Sequence, residues 1–190
     1  MNDSKALKLI CSGMLQSWRN TGLGPNYRYT ELMPTKSGIA GMIACALGYP
    51  RGDSRIEKLK NSFELYIDNK ESAPIRRGNN TTPDILFDFQ TVSAPDMLTA
   101  GGGMLHSPSI IMREYVVGYR YVLYLKAEEE LLRKIETALN EPVWDYYLGS
   151  KCCIPAEPVC RGIVCRLSPG HKRAVPSLYV RLHFVNNYLF

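Results

Sequence analysis

The sequence contains no run of about 18 apolar residues, which excludes a membrane-spanning helix. The opening Met1-Asn2-Asp3-Ser4-Lys5 is not followed by an apolar stretch with a small-residue cleavage site, so a secretory signal is not expected. The expected compartment is the cytoplasm, where thiols stay reduced. Paired C-x-x-C or H-x-x-x-H spacing is also missing. Cys152, Cys153, Cys160 and Cys165 cluster near His171, yet without that spacing they read as buried or incidental thiols, with no metal and no other cofactor. Histidine is scarce, at His106, His171 and His183, and these lie far apart in the sequence. Asp84 and Asp88 share one face of a strand but lack a third carboxylate for a metal nuclease. Internal repeats and low-complexity tracts are absent, so 190 residues read as a single domain over 1–190.

What is present is basic charge, unevenly placed. Residues 1–60 hold nine Lys/Arg against four Asp/Glu, residues 61–150 hold eight against thirteen, and residues 151–190 hold six against one. The segment balances of +5, −5 and +5 give the net charge of +5. Two basic ends around an acidic middle predict one basic face. A polyanion is its natural partner, because neutralising phosphates releases counterions.

Leu7, Leu9 and Cys11 alternate as a first strand. Residues 16–34, with Gly22, Gly24, Pro25 and Pro34, read as a long loop. A helix is predicted over Ser37 to Leu47, with Ile39, Met42, Ile43, Ala46 and Leu47 on one stripe and Gly48 as its stop. Asp53 or Ser54 caps a second, short helix, and Phe63, Leu65 and Ile67 alternate as the next strand. Residues 69–110 are broken by Pro74, Gly78, Pro83, Pro95, Gly101 to Gly103 and Pro108 around one apolar run, Ile85 to Val92. They read as a protruding, thumb-like excursion. Strands follow at Ile110 to Val117 and Tyr119 to Leu125, then a helix at Glu128 to Asn140, then strands at Ile163 to Leu167 and Leu178 to Phe184. The order predicts an α+β fold: a ferredoxin-like βαββαβ core, which is also the topology of RNA-recognition modules, carrying an extended excursion.

Pro34-Thr35-Lys36-Ser37-Gly38 is a polar turn opening a helix, where free N–H groups and the helix dipole attract an anion. It is not a nucleotide-binding P-loop, because Thr35 stands where glycine is required before Lys36. Upstream, Gln16, Trp18, Arg19, Tyr27, Arg28 and Tyr29 interleave aromatics with arginine, which suits single-stranded RNA. Trp18 alone reads better as an anchor of the loop to the core. Arg113 and Tyr115 share a strand face and Glu114 points the other way, while Arg76-Arg77 reads as a solvated pair.

An ordered set of short motifs is more specific. Leu15-Gln16-Ser17-Trp18 is followed by Arg28 and Thr30, and then by Pro34-Thr35-Lys36-Ser37-Gly38 and Leu47-Gly48. Asp88-Phe89-Gln90-Thr91-Val92, Arg113-Glu114-Tyr115, and Leu148-Gly149-Ser150-Lys151-Cys152 with Pro155 complete it. Over about residues 7–158 this set resembles the CRISPR-associated Cas-five family, in particular the CasD form of type I-E Cascade. Two positions depart from the family pattern. Arg19 stands where glycine is usual, and Ser150 where arginine is usual, leaving Lys151 as the evident cation there.

The resemblance implies a RAMP-type fold with a β-thumb, and a subunit that caps the 5′ handle of crRNA in antiviral defence. Its implied neighbours are the CasC backbone subunit and the CasA large subunit, with target DNA met indirectly through the complex. The expected RNA-binding residues are Gln16, Trp18, Arg19, Arg28, Thr35, Lys36, Ser37, Gly38, Arg113, Tyr115 and Lys151. Similar type I-C relatives cleave the precursor transcript with a Tyr and a Lys-His pair. Only His171-Lys172 approaches that pattern here, so a non-catalytic subunit is expected and an endoribonuclease is the alternative.

Overall fold

The computed structural model describes residues 5–19, 26–75, 82–92, 98, 101–104, 108–165 and 172–173. In chain order these form β1 (Ala6–Gln16), β2 (Trp18–Arg19), β3 (Tyr27–Arg28), β4 (Thr30–Glu31), α1 (Lys36–Ala46), α2 (Ser54–Asn61), β5 (Glu64–Pro74), β6 (Asp84–Val92), β7 (Ser109–Lys126), α3 (Glu129–Asn140), β8 (Cys160–Val164) and β9 (Lys172–Arg173). The fold is mixed α+β with a central sheet in the order β8-β1-β7-β5-β9, and each pairing along that path is antiparallel.

Strand periodicity divides the apolar residues between two faces. Leu7, Leu9 and Cys11 of β1 lie opposite Leu125, Leu123 and Tyr121 of β7, and Leu65 and Ile67 of β5 join them. All pack with Ile39 and Ile43 of α1 and Leu132 and Ile135 of α3 in the main core. The other face holds a small cluster of Ala6, Val122 and Tyr124. The predicted helices form because their stripes find this core. Ile39, Met42, Ile43 and Ala46 are buried in α1, and Leu132, Ile135, Ala138 and Leu139 in α3. Asp53 caps α2 by accepting from the Arg55 N–H at 2.8 Å.

Strand β7 runs through two environments. From Val117 back to Ser109 it pairs with β6 in a hairpin arm, and from Tyr119 to Lys126 it lies between β1 and β5. The change of partner falls at Gly118, which adopts φ +54° and accepts at its carbonyl from the Ile75 N–H at 2.7 Å. Glycine takes this left-handed conformation without the Cβ penalty. The arm exposes Phe87 and Phe89 on one face, while Leu86 and Asp88 share the other face with Tyr115 and Arg113.

Three sequence expectations change. Residues 69–74 extend β5, paired to β7 across an irregularity between Asp68 and Ala73, so the excursion starts later than residue 69. Ser72 makes this possible, because its hydroxyl donates to the Asp68 carbonyl and accepts from the Val122 N–H. The loop over 16–34 contains β2 and β4, paired through Trp18↔Glu31 and Arg19↔Thr30, as well as β3. The strand expected at 163–167 spans Cys160–Val164. The expected strand at 178–184 lies outside the described residues, as do Arg76-Arg77.

After α3 the chain folds back onto the end of β1. Ser17 N–H donates to the Leu148 carbonyl at 2.9 Å, Leu148 N–H to the Cys153 carbonyl at 2.8 Å, and Cys153 N–H to the Ser150 carbonyl at 2.8 Å. Gly149 lies against this junction at φ +94°, and a Cβ there would sit 1.7 Å from the Ser17 carbonyl oxygen. Gly149→Ala is therefore expected to destabilise the protein by about 2–4 kcal/mol, combining backbone strain with a forced shift of β1. A urea unfolding midpoint within error of wild type would contradict this account of the junction.

Candidate functional site

The end of β1 is held from inside. Gln16 is fully buried, and its amide donates to the Tyr119 carbonyl at 2.5 Å and the Cys11 carbonyl at 3.4 Å. Its side-chain oxygen accepts from the Trp18 indole N–H at 3.2 Å. Trp18 is equally buried, and its backbone N–H donates to the Thr30 hydroxyl at 2.7 Å. With no exposed surface, Gln16 and Trp18 support the end of β1 from inside, the anchoring role that Trp18 read alone suggests. Glu114 supports β4 in the same way, its carboxylate accepting from the Thr30 N–H at 3.1 Å.

That framework carries a cleft of about 160 Å³, lined by Ser17, Arg19, Arg28, Tyr29, Arg51, Arg113, Tyr115, Gly149 and Ser150. Strand β3 lies parallel to the arm half of β7 with Arg28 in register with Arg113, and the Met112 N–H donates to the Asn26 carbonyl at 2.8 Å. Neighbouring strands are about 4.8 Å apart, and like charges directly opposite each other disfavour the pairing. Among the described residues, no carboxylate forms an ion pair with Arg19, Arg28, Arg51 or Arg113. Arg113 Nε is buried and has no hydrogen-bond partner among the described residues. Burial and a hydrogen bond with Cys152 push the Tyr115 hydroxyl above its ordinary value, with contact to Arg113 opposing the shift. Tyr115 is therefore a neutral hydroxyl at pH 7. Tyr27 stacks on Tyr29 at the rim, with ring centroids 6.5 Å apart and 16° between planes.

The family described as CRISPR-associated protein (Cas_Cas5) matches residues 6–183. The chain belongs to the Cas-five family. A CRISPR RNA-guided surveillance complex contains a similar chain, with 25% identity and a TM-score of 0.65 over 82% of this chain and 61% of that one. A crystal structure of a Cas protein agrees in fold, with 23% identity and a TM-score of 0.53 over 81% of this chain and 61% of that one. The chain thus spans 61% of the length of either relative. A comparison with curated proteins finds no match.

In this Cas-five chain the residues expected at the site separate into two groups. Arg19, Arg28, Arg113 and Tyr115 meet in the cleft, and Lys151 is exposed next to Ser150 at its edge. Thr35, Lys36, Ser37 and Gly38 lie outside the lining, at the start of α1. There the Thr35 hydroxyl accepts from the Gly38 N–H at 3.1 Å, so one of the helix's free donors is already bonded. A Cβ on Gly38 would meet the Trp18 ring at 2.9 Å, which accounts for the small residue by packing. The Lys36 ammonium lies 5.3 Å from the Phe63 ring centroid. Sequence reasoning did not assign Ser17, Arg51 or Gly149 to the site, although Ser17 and Gly149 stand inside two of the short motifs.

Among the described residues, no group of three His, Cys, Asp or Glu could hold a metal ion, and no helix is long and apolar enough to cross a membrane. All six cysteines are free. His106, His171 and His183 lie outside the described residues.

The Lys36 contact has a measurable consequence. Lys36→Ala removes a cation–π interaction and is expected to lower stability by about 0.5–1 kcal/mol. Lys36→Met keeps most of the chain's apolar length and should lose a similar amount. Denaturant midpoints check both, and unchanged stability in both variants would contradict the contact.

Proposed function

We propose that the chain is a non-catalytic, crRNA-binding subunit of a CRISPR surveillance complex, holding the 5′ handle of the guide against the arginine cleft. The observation that carries this reading is the register pairing of Arg28 with Arg113, beside Arg19 and Arg51, with no ion-paired carboxylate among the described residues to neutralise them. Two like charges are brought together across β3 and β7, the single Asp88 carboxylate opposite Arg113 on β6 offsets only part of the charge, and an RNA phosphate relieves the rest. Guanidinium groups suit that ligand, since their planar donors can meet phosphate oxygens in pairs. The stacked Tyr27 and Tyr29 offer a sequence-tolerant platform for a base.

The rest of the reading follows the same family. The path β8-β1-β7-β5, with α1 and α2 between β1 and β5 and α3 between β7 and β8, supports reading the chain as one domain with a ferredoxin-like βαββαβ core. The β6–β7 arm serves as the thumb, reaching past the core toward the RNA and a CasC backbone subunit. CasA is the proposed large neighbour, and target DNA is met through the guide. A neutral Tyr115 hydroxyl serves as a hydrogen-bond donor, in keeping with anchoring of RNA.

Binding of labelled repeat-derived RNA tests this. Arg28→Ala and Arg113→Ala should each weaken binding by about 1–2 kcal/mol, roughly tenfold. Each should also reduce the magnitude of the slope of log affinity against log salt by about 0.7, the single-strand value for one phosphate. Lys58→Ala, on α2 and outside the cleft lining, is the surface-charge control and should leave the slope nearly unchanged. Equal effects from all three variants would remove the cleft as the binding site. In the same samples the RNA should stay intact with and without divalent metal, whereas specific cutting within the repeat would establish the endoribonuclease alternative.

A further inference from the structure

Two adjacent thiols stand beside the cleft, next to residues that line it. Cys152 is exposed and Cys153 is fully buried, with their sulfurs 3.9 Å apart. Cys152 Sγ lies 3.6 Å from the Tyr115 hydroxyl and 3.7 Å from the Ser150 hydroxyl, and both of those residues line the cleft. Either hydroxyl can donate to a thiolate. Cys165 is exposed as well and serves as the internal comparison. We propose that Cys152 is an oxidation site beside the arginine cleft, with Cys153 as its resolving thiol, through which a hydroperoxide alters the cleft. The consequence for RNA rests on the function proposed above, but the thiol chemistry does not.

The electrostatics agree with this geometry. Burial opposes the Cys152 thiolate, but hydrogen bonds with Tyr115, Ser150 and Cys153 outweigh it and hold the thiol below its ordinary value. Burial, with the neighbouring Cys152, pushes the Cys153 thiol up to about 12. Cys152 is therefore the attacking sulfur and Cys153 the slower partner, since the thiolate is the nucleophile.

In the first step the Cys152 thiolate attacks one oxygen of hydrogen peroxide. An S–O bond forms, the O–O bond breaks, and the departing hydroxide takes up a proton as water. Sulfur is oxidised to the sulfenic acid and the peroxide is reduced. In the second step the Cys153 sulfur attacks the Cys152 sulfur. The S–S bond forms, the S–O bond breaks, and the hydroxyl leaves with the Cys153 proton as a second water. Adjacent residues place their Cα atoms about 3.8 Å apart, closer than disulfides ordinarily have them. Ring closure must therefore twist the Cys152–Cys153 peptide. That peptide is fixed by the bond from Cys153 N–H to the Ser150 carbonyl, in the turn whose Leu148 carbonyl holds Ser17. The disulfide would thus disturb the loop that forms one wall of the cleft, and the strain makes it easily reduced.

The test treats the reduced full-length protein with hydrogen peroxide at pH 7 and traps sulfenic acid with dimedone, followed by peptide mapping. Dimedone should mark Cys152 about fivefold or more over Cys165. Without dimedone, the peptide holding Cys152 and Cys153 should lose two hydrogens. Ser150→Ala should slow labelling of Cys152 and shift its pH profile upward, while Cys165 is unaffected. Labelling spread evenly, or strongest at Cys45 or Cys165, would overturn the proposal. Oxidised protein should bind repeat-derived RNA several-fold more weakly, with dithiothreitol restoring binding and Cys152→Ser showing no response to peroxide. Selective labelling with unchanged RNA affinity would overturn the effect on the cleft. Selective labelling of a protein whose reduced form binds no RNA would support the oxidation site and remove the RNA reading instead.

Discussion

One strand sets the geometry of both the core and the cleft. The C-terminal half of β7 is the centre of the sheet, where Tyr121, Leu123 and Leu125 lie opposite β1 in the buried core. Its N-terminal half keeps Tyr115 and Val116 in the core and the Val116–Gln16 pair with β1, then pairs outward with β6 and with β3. The backbone is continuous, so the position of the arm relative to the core is fixed by the turn of conformation at Gly118. Arg113 and Tyr115 project from the arm half close to this junction, which puts them on a segment anchored by the core strand. A site built on a strand with a packed partner holds its geometry better than one on an isolated loop.

The cleft is then assembled by three further segments that reach the same junction. Strand β3 brings Arg28 beside Arg113, the end of β1 leads into Ser17 and Arg19, and the Leu148–Cys153 loop closes against Ser17. The buried Gln16–Trp18–Thr30 bonds hold this end of β1 to β4 beneath it. Positive charge is concentrated: Asp88 stands opposite Arg113 without forming an ion pair, and other carboxylates nearby in the fold are used elsewhere. Glu114 is bonded to Thr30 in the framework, Glu157 pairs with Arg120 and Arg161, and Asp53 pairs with Arg55. In the proposed function this arrangement holds a polyanion, and the proposed oxidation of Cys152 adds a second chemistry beside it.

Much of the fold is legible in the sequence because its signals are local. The stripes of α1 and α3 and the Asp53 cap need only neighbouring residues to be read, and the structure follows them closely. The length of β5 is not legible. Asn69 to Pro74 are polar or small and end in proline, so they look like turn residues until Ser72 is bonded across to Val122. In the site, Arg113 and Tyr115 are legible as a pair from strand alternation alone. Arg51 is not, since a turn after α1 gives no sign of where it meets the end of β1. Gln16 and Trp18 are ambiguous, because aromatic and amide side chains next to arginine look alike whether they stack on a base or fill a core, and only Trp18 read alone favours the core. At Lys36 the helix start advertises free donors in the sequence, whereas the Thr35 cap and the Phe63 contact become visible only in the fold.

The central claim is that the paired arginines of β3 and β7 meet an RNA phosphate. A structure of the chain bound to guide RNA within its assembled complex tests it directly. The account predicts a phosphate between the Arg28 and Arg113 guanidinium groups, within about 3 Å of their donors. RNA bound along another surface, with the cleft free of phosphate, would contradict it.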